Sequence, residues 1–284
     1  MNKIASNKLS EKIHLEAVDP IWTEMRREAE QAVVREPSVA GMFYDVILNQ
    51  VSLEDAVAAR IATRLDSRDL SAASILATFR DAFADQPVLI EIVRADITAV
   101  YERDPACTRF IEPLLYFKGF HTLQAHRLAH WLWGQGRRDF ALTIQSTVSE
   151  RFQVDINPGV KLGRGIFLDH ATGVVIGETA VIGDNVSILQ NVTLGGTGKE
   201  TGDRHPKIGS GVLIGAGATV LGNIKIGHCA RIASGSVVLR EVPPETTVAG
   251  VPARVVGQSG CSEPGRSMDQ ILTEKTEDSS GFDV

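Results

Sequence analysis

Aliphatic side chains recur at every sixth position through the second half of this 284-residue chain. A period of six matches neither the 3.6 residues per turn of an α-helix nor the two-residue alternation of one long strand. It is typical of a parallel β-helix, in which each hexapeptide forms one flat side with its aliphatic residue pointing inward, and three sides make a coil of about eighteen residues. The repeated positions, which slip once by two residues and are interrupted once, are Ile156, Leu162, Leu168, Val174, Ile176, Ile182, Ile188, Leu194, Ile208, Ile214, Val220, Ile226, Ile232 and Val238.

Glycine content divides the chain into two parts of different architecture. Of the 26 glycines, four fall in residues 1–150 and nineteen in residues 151–257. In the first part, apolar and charged residues at three- and four-residue spacing predict helices over segments such as 53–65 and 111–133. Pairs such as Asp104-Pro105 are typical helix starts. We therefore predict an α+β chain, with an all-helical domain over 1–150 followed by a parallel β-helix over 151–257.

Two segments depart from the repeat. Residues 195–207 contain no aliphatic core position, so we expect them to leave the solenoid as a loop, and polar loops on rigid scaffolds frequently contribute to functional sites. Residues 258–284 carry six acidic and two basic side chains with abundant Ser and Gly. This composition predicts a disordered C-terminal tail.

Composition and charge exclude several classes of protein. A net charge of -6 provides no basic field for nucleic acid, and no run approaches the roughly 18 apolar residues of a membrane span. Charged residues are scattered through 1–20, which leaves no secretory signal and favours the cytoplasm. Cys107, Cys229 and Cys261 lack CxxC spacing and fit reduced thiols better than a disulfide framework.

Three motifs stand out in the repeat region: DINPGVKLGRGIFLDHATG at 155–173, LQNVTLGGTGKETGDRHPK at 189–207 and AGVPAR at 249–254. Together with Asp104-Pro105, KGFH at 118–121 and HWLW at 130–133, they resemble bacterial serine O-acetyltransferase, a family of the hexapeptide-repeat acyltransferase superfamily. The resemblance covers roughly residues 30–257.

The resemblance implies a left-handed coil, a homotrimer formed through the solenoid and, in typical members, a hexamer made of two trimers joined by the helical domains. It also implies an enzyme that transfers acetyl from acetyl-CoA to the hydroxyl of L-serine, giving O-acetyl-L-serine and CoA in the first step of cysteine biosynthesis. L-cysteine, which resembles serine, is then the expected feedback inhibitor.

The catalytic residues that the resemblance implies are His170 and Asp155. A hydroxyl that is neutral at pH 7 needs a base, and imidazole, with a reference pKa of about 6.5, suits that role. His170 lies in the DHATG motif; on residue type alone, a surface histidine is the alternative. Asp155 lies fifteen residues earlier, a little less than one coil, so it can orient the imidazole. Its alternative is a turn-forming residue at the first corner of the solenoid.

The serine-binding residues are expected to be Asp104, Asp169, Arg204 and His205. By resemblance, the two carboxylates face the substrate ammonium, and Arg204 with His205 face its carboxylate. Asp104 also fits an N-cap ahead of Pro105, and Arg204 and His205 also fit a solvated loop.

For the cofactor, the resemblance places CoA along the later coils near Ala216, Arg231 and Ser234, with the Gly196 N–H as the oxyanion donor. No Walker or GxGxxG loop is present. His126 and His130, four residues apart, invite a metal, but no acidic residue or cysteine completes a ligand set, so we expect helix packing and no metal.

Two other functions remain open on sequence grounds: a γ-class carbonic anhydrase with a zinc site between subunits, and a non-catalytic trimeric scaffold. A further partner is expected at the C-terminus. Gly281-Phe282-Asp283-Val284 resembles the family's terminal peptide that docks in O-acetylserine sulfhydrylase, although those peptides usually end in isoleucine.

Overall fold

The computed structural model describes residues 19–199, 201–260 and 263–272. Its first part is a helical domain, and short helical turns at Pro37–Val39 and Tyr44–Leu48 connect the longer elements. The helices of this domain are α1 (Pro20–Arg35), α2 (Ala40–Phe43), α3 (Leu53–Leu65), α4 (Ala72–Asp85), α5 (Val88–Arg103), α6 (Ile111–Tyr116), α7 (Lys118–Gly134) and α8 (Arg138–Phe152).

Local sequence accounts for most helix ends. Asp19 accepts hydrogen bonds from the N–H groups of Ile21 and Trp22 at the start of α1. The predicted helix over 53–65 is confirmed. The predicted segment 111–133 is wrong as one helix, because Phe117 is extended and divides it into α6 and α7.

The second part is a three-sided solenoid of parallel strands, which confirms the hexapeptide prediction. Sheet 1 contains β1 (Asp155–Ile156), β4 (Val175–Ile176), β7 (Thr193–Gly195), β10 (Thr219–Leu221) and β13 (Val237–Val238). Sheet 2 contains β2 (Lys161–Leu162), β5 (Val181–Ile182), β8 (Lys207–Ile208) and β11 (Lys225–Ile226). Sheet 3 contains β3 (Phe167–Leu168), β6 (Ser187–Ile188), β9 (Leu213–Ile214), β12 (Arg231–Ile232), β14 (Thr246–Gly250) and β15 (Ala253–Gln258).

The strand register shows where the repeat departs from eighteen residues. Ile176 pairs with Leu194, eighteen positions on, whereas Ile156 pairs with Ile176, twenty positions on. The two additional residues lie in the corner between β3 and β4. Leu194 pairs with Val220 across an interval of 26 residues that contains the expected loop.

Helix α7 covers the first coil of the solenoid. His130 Nδ1 lies 2.8 Å from the Pro158 carbonyl oxygen, and His126 Nε2 lies 3.2 Å from that of Val160. Arg127 donates to the carbonyl of Gly163 at 2.9 Å and forms a buried ion pair with Asp96. These contacts satisfy backbone groups at the start of the solenoid that would otherwise be costly to bury.

The structure differs from the expected disordered tail over residues 258–260 and 263–272. β15 runs antiparallel to β14 as far as Gln258, and Pro264–Ser267 forms a short helix, α9. Gly265 donates its N–H to the Gly211 carbonyl and accepts from Ser187 Oγ, so α9 is fixed by tertiary contacts that composition does not reveal. Residues 273–284, including Val284, lie outside the described residues. None of the described helices has the length and apolar character needed to cross a membrane.

Candidate active site

His170 lies in the corner between β3 and β4 that contains the two additional residues. His170 and Ala171 adopt the left-handed conformation, with φ of 55° and 61°. Such backbone geometry is uncommon for residues with a Cβ and concentrates at functional sites. The His170 side chain is 75% exposed, and its Nε2 lies 3.8 Å from Asp169 Oδ1. The corner therefore presents an accessible imidazole beside a carboxylate.

Asp104 lies close enough to Asp169 to affect its carboxyl group electrostatically. Burial raises the pKa of Asp169, and the negative charge of Asp104 adds to this, while His170 opposes it. The N-cap interpretation of Asp104 is wrong: its N–H donates to the Val100 carbonyl at the end of α5, and its Oδ1 accepts from Ala106. Two neighbouring carboxylates at one corner form a site suited to a cation.

Asp155 is oriented by a residue that sequence analysis did not identify. Gln145 of α8 donates from its side-chain amide to Asp155 Oδ1 at 2.6 Å. The two line a cavity of about 460 Å³ with Leu142, Ser146, Ser149 and Glu150. In the described residues, no hydrogen bond or ion pair joins Asp155 to His170, so their expected pairing stays a prediction.

His205 lies near the C-terminal end of the 195–207 loop, where its surroundings favour the neutral imidazole. Its Nδ1 accepts from the backbone N–H of Thr179 at 3.2 Å, which leaves the proton on Nε2. Burial, and then the positive charge of Arg204, lower the pKa of His205. A Cβ on Gly177 would lie 2.0 Å from Nε2, so only glycine leaves room for this ring position. His205 can therefore donate a hydrogen bond from Nε2 at neutral pH.

Arg204 lies beside His205 but already has partners. Its Nη2 forms an ion pair with Glu178 at 3.0 Å, and its Nη1 donates to the Gly202 carbonyl at 3.0 Å. A substrate carboxylate would have to share this guanidinium with Glu178. Glu178, which no sequence motif indicates, lies 26 residues before Arg204 and meets it only because the chain coils.

The expected serine-binding residues fall into two groups on different corners of the solenoid. Asp104, Asp169 and His170 lie at the corner between sheets 3 and 1. Arg204 and His205 lie at the corner between sheets 1 and 2, where the loop leaves after β7 and returns at β8. No hydrogen bond or ion pair joins the two groups within the described part of the chain.

The expected CoA residues also differ in their surroundings. Ala216 and Ser234 lie on adjacent coils, where the N–H of Gly235 donates to the Ala216 carbonyl. Gly196 lies in the loop after β7, beside Arg204. Arg231 is buried in sheet 3, where it donates to Thr247 Oγ1 and to the carbonyls of Asp269 and Ile271. Ala216 and Ser234 are thus the pair that the solenoid brings together.

His126 and His130 pack with ring centroids 6.0 Å apart. Each has a ring nitrogen directed at a backbone carbonyl of the first coil, which agrees with the expected packing role. No group of three or more His, Cys, Asp or Glu residues in the described ranges is arranged to hold a metal.

Comparisons with known proteins give consistent matches. The model of the serine acetyltransferase N-terminal family matches residues 21–125, and that of the bacterial transferase hexapeptide family matches residues 205–240. The serine acetyltransferase of Salmonella typhimurium is 52% identical over 255 residues, which is 90% of this chain and 93% of that protein.

Solved structures agree with these matches. Serine acetyltransferase of Brucella abortus in complex with coenzyme A is 59% identical, with a TM-score of 0.85 over 86% of this chain and 98% of that one. A serine acetyltransferase in complex with cysteine is 47% identical, with a TM-score of 0.87 over 89% of this chain and 98% of that one.

Proposed function

This chain belongs to the serine acetyltransferase family, and from that premise we propose how its two corners perform the reaction. The protein is an acyltransferase that uses acetyl-CoA as co-substrate and acetylates L-serine. The observation that carries the mechanism is the exposed imidazole of His170, held by left-handed backbone geometry beside the Asp169 carboxylate. A carbonic anhydrase or a non-catalytic scaffold is not favoured.

In the proposed mechanism, His170 removes the proton from the serine hydroxyl as the oxygen attacks the thioester carbonyl. Asp155 leaves the amide of Gln145, accepts a hydrogen bond from the imidazole and stabilises its protonated form. The N–H of Gly196 supports the oxyanion of the tetrahedral intermediate. The intermediate collapses by cleaving the carbon–sulfur bond, and His170 returns its proton to the leaving CoA sulfur.

The substrate is bound from both ends. Asp104 and Asp169 take the ammonium group, whose positive charge relieves their mutual repulsion. Arg204 and the Nε2–H of neutral His205 take the carboxylate. CoA extends along the later coils past Ala216 and Ser234. Arg231 also belongs to the cofactor side in this proposal, where CoA would replace the carbonyls of Asp269 and Ile271 as its acceptors.

Within a single chain, the two groups of serine-binding residues lie on different corners of the solenoid. We therefore propose that adjacent copies complete the site. In a homotrimer of left-handed solenoids, the corner with His170 of one copy faces the corner with Arg204 of the next. Two such trimers pair through their helical domains. Exposed Val175 and Val181 on the strands beside these corners support a buried contact between copies.

Two regulatory partners follow from the same site. L-cysteine has the ammonium and carboxylate of serine, and the relative bound to cysteine supports feedback inhibition by competition. The terminal residues 281–284 are proposed to dock in O-acetylserine sulfhydrylase through the Val284 carboxylate. Calorimetry with full-length protein and with a variant lacking Asp283 and Val284 tests this; equal affinity of the two would contradict it.

The decisive experiment for the activity is a thiol-release assay with acetyl-CoA and L-serine. We expect serine-dependent release of CoA that falls as L-cysteine is added. Absence of serine-dependent release by folded protein would contradict the proposed reaction.

A further inference from the structure

Arg103 is a buried cation where the helical domain meets the solenoid. It is the last residue of α5 and is 5% exposed. Its Nη1 donates to Ser187 Oγ at 3.1 Å and its Nη2 to Asn185 Oδ1 at 3.2 Å. Within the ranges that the structure describes, no ion pair includes Arg103, and its Nε has no partner.

This arrangement is a poor way to stabilise an interface. Burying a cation without a carboxylate carries a desolvation cost that two neutral acceptors offset only in part. Burial lowers the pKa of Arg103 to about 10, so the side chain is still charged at neutral pH. In the same interface Arg127 has the carboxylate of Asp96. An apolar side chain at position 103 would pack at lower cost, so packing does not explain the arginine.

The contacts of Arg103 connect the two ammonium-binding carboxylates. Arg103 directly precedes Asp104 in the chain. Its acceptor Ser187 lies in β6, where it is the register partner of Phe167 in β3. Phe167 in turn is two residues before Asp169. The guanidinium therefore fixes the end of α5 against β6, which pairs with β3, the strand that leads into the His170 corner.

The hydrogen bonds of Arg103 oppose electrostatic repulsion between Asp104 and Asp169. Without substrate, the negative charge of Asp104 disfavours the ionised form of Asp169 and helps to raise the pKa of Asp169. Asp104 stands at the end of α5 with only a turn after it, so like-charge repulsion would separate it from Asp169 if the helix end were free to move. Hydrogen bonds to Ser187 and Asn185 resist that movement because both acceptors belong to the rigid coil.

We propose that Arg103 is a positioning residue for L-serine: it anchors the end of α5 so that the Asp104 carboxylate stays beside Asp169 and the two can share the substrate ammonium. This inference rests on the proposed role of those carboxylates. Arg103 does not touch the substrate, and its effect is expected on serine binding and not on acetyl-CoA.

The test uses the full-length oligomer with Arg103→Met, which keeps an unbranched apolar side chain and removes the charge and the donors. We expect the serine KM to rise about tenfold, the equivalent of one charge-assisted hydrogen bond, with the acetyl-CoA KM within about twofold. Arg103→Lys can reach one acceptor at a time and should recover part of the loss. Equal changes in both KM values, or an unchanged serine KM in a folded variant, would overturn the proposal.

A double-mutant cycle with Asp104→Asn separates positioning from a general structural effect. If Arg103 acts through Asp104, then Arg103→Met changes the serine KM less than twofold in the Asp104→Asn background. An equal fold-change in both backgrounds would show that Arg103 acts by another route and the proposal is wrong. If Asp104→Asn alone leaves the serine KM unchanged, the ammonium site itself is wrong, and the inference falls with it.

Two further variants distinguish the proposed effect from a general loss of folding. Ser187→Ala removes one acceptor without removing the cation, and about a threefold rise in serine KM is expected, so the proposal can be tested even if Arg103→Met does not fold. Arg26→Met is the matched control: Arg26 likewise donates to neutral acceptors, in its case the backbone carbonyls of Ile47, Leu48 and Gln50, but it lies on α1. It should lower thermal stability without altering either KM.

Discussion

His170 is the residue whose replacement most directly tests the mechanism. We expect His170→Ala to lower kcat by about 10²- to 10⁴-fold, the usual contribution of a general base, with little change in the serine KM. Asp155→Asn should cost less, because it removes the orienting group and leaves the base. The measurement is steady-state kinetics over both substrates.

His228→Ala is the matched control for His170, because His228 is an exposed histidine of the solenoid outside the two corners. It should leave kcat unchanged. If His170→Ala turned over at nearly the wild-type rate while folded, another group would have to be the base.

Arg204→Lys tests the carboxylate side of the pocket. A lysine ammonium keeps the charge but cannot reproduce the planar fork, so the serine KM should rise by about tenfold and the acetyl-CoA KM should stay nearly constant. Inhibition by L-cysteine should weaken in parallel, because cysteine has the same carboxylate. Similar changes for both substrates would instead indicate that the loop has misfolded.

At the level of residues, sequence motifs identified the side chains that face the corners but not those that support them. His170 and Asp169 stand in a recognisable motif. Gln145, Glu178 and Arg103 do not, since each meets its partner through packing between distant segments. Asp104 shows the opposite error: its local sequence is typical of an N-cap, yet it closes a helix, because the following residues form a turn.

Helix α7 approaches the solenoid so closely that one of its residues has to be glycine. A Cβ on Gly119 would lie 2.1 Å from the Leu168 carbonyl oxygen, just before the His170 corner. We expect Gly119→Ala to force α7 from the solenoid and to destabilise the fold by about 3 kcal/mol. Urea unfolding followed by circular dichroism measures this.

Gly134→Ala is the matched control at the other end of α7, where an added Cβ has no atom within 4 Å. It should be neutral or stabilising by up to about 1 kcal/mol, because alanine favours the helix. Similar losses for both variants would show that helix propensity, and not the contact with Leu168, determines the result.

The elements themselves were largely predictable where one physical rule dominates. Two side chains in each hexapeptide are buried, the repeated aliphatic residue and the residue two positions before it, as Ile188 with Val186 and Ile214 with Val212 show. The aliphatic positions therefore identified most of the strands. The break at Phe117 and the helix α9 depend on contacts with other segments, which a local pattern does not contain. Gly265 lies in an acidic, polar stretch, and it becomes ordered through Gly211 and Ser187.

The whole molecule should lose stability in mild acid. Burial lowers the pKa of His121 and of His126 to about 3, so both stay neutral in the fold. Unfolding lets them bind protons at a pKa near 6.5, so stability is complete above that pH and falls as the pH drops toward 3. At pH 5 the loss should be up to about 2 kcal/mol for each histidine. Urea unfolding at pH 7.5 and pH 5 measures the difference in the free energy of unfolding between the two pH values. His121→Gln should have a smaller difference than the wild type, and an equal difference in both proteins would contradict the prediction.

Mixed oligomers test whether two copies build one site. His170→Ala and Arg204→Ala should each be inactive alone, and coexpression in equal amounts should restore about one quarter of the wild-type activity. That fraction is expected because about one contact in four pairs an intact His170 corner with an intact Arg204 corner. If mixed oligomers form, as differently tagged copies would show, and activity does not return, each chain must supply its whole site.

Without its helices, the first coil would offer a template for filament growth. The carbonyls of Pro158, Val160 and Gly163 are covered by three side chains of α7 in place of another strand. A solenoid separated from that cover would present open backbone groups, and stacking of such edges is how cross-β assemblies extend. The helical domain therefore also acts as a stop that keeps a repetitive structure finite, and the isolated repeat domain is expected to associate end to end.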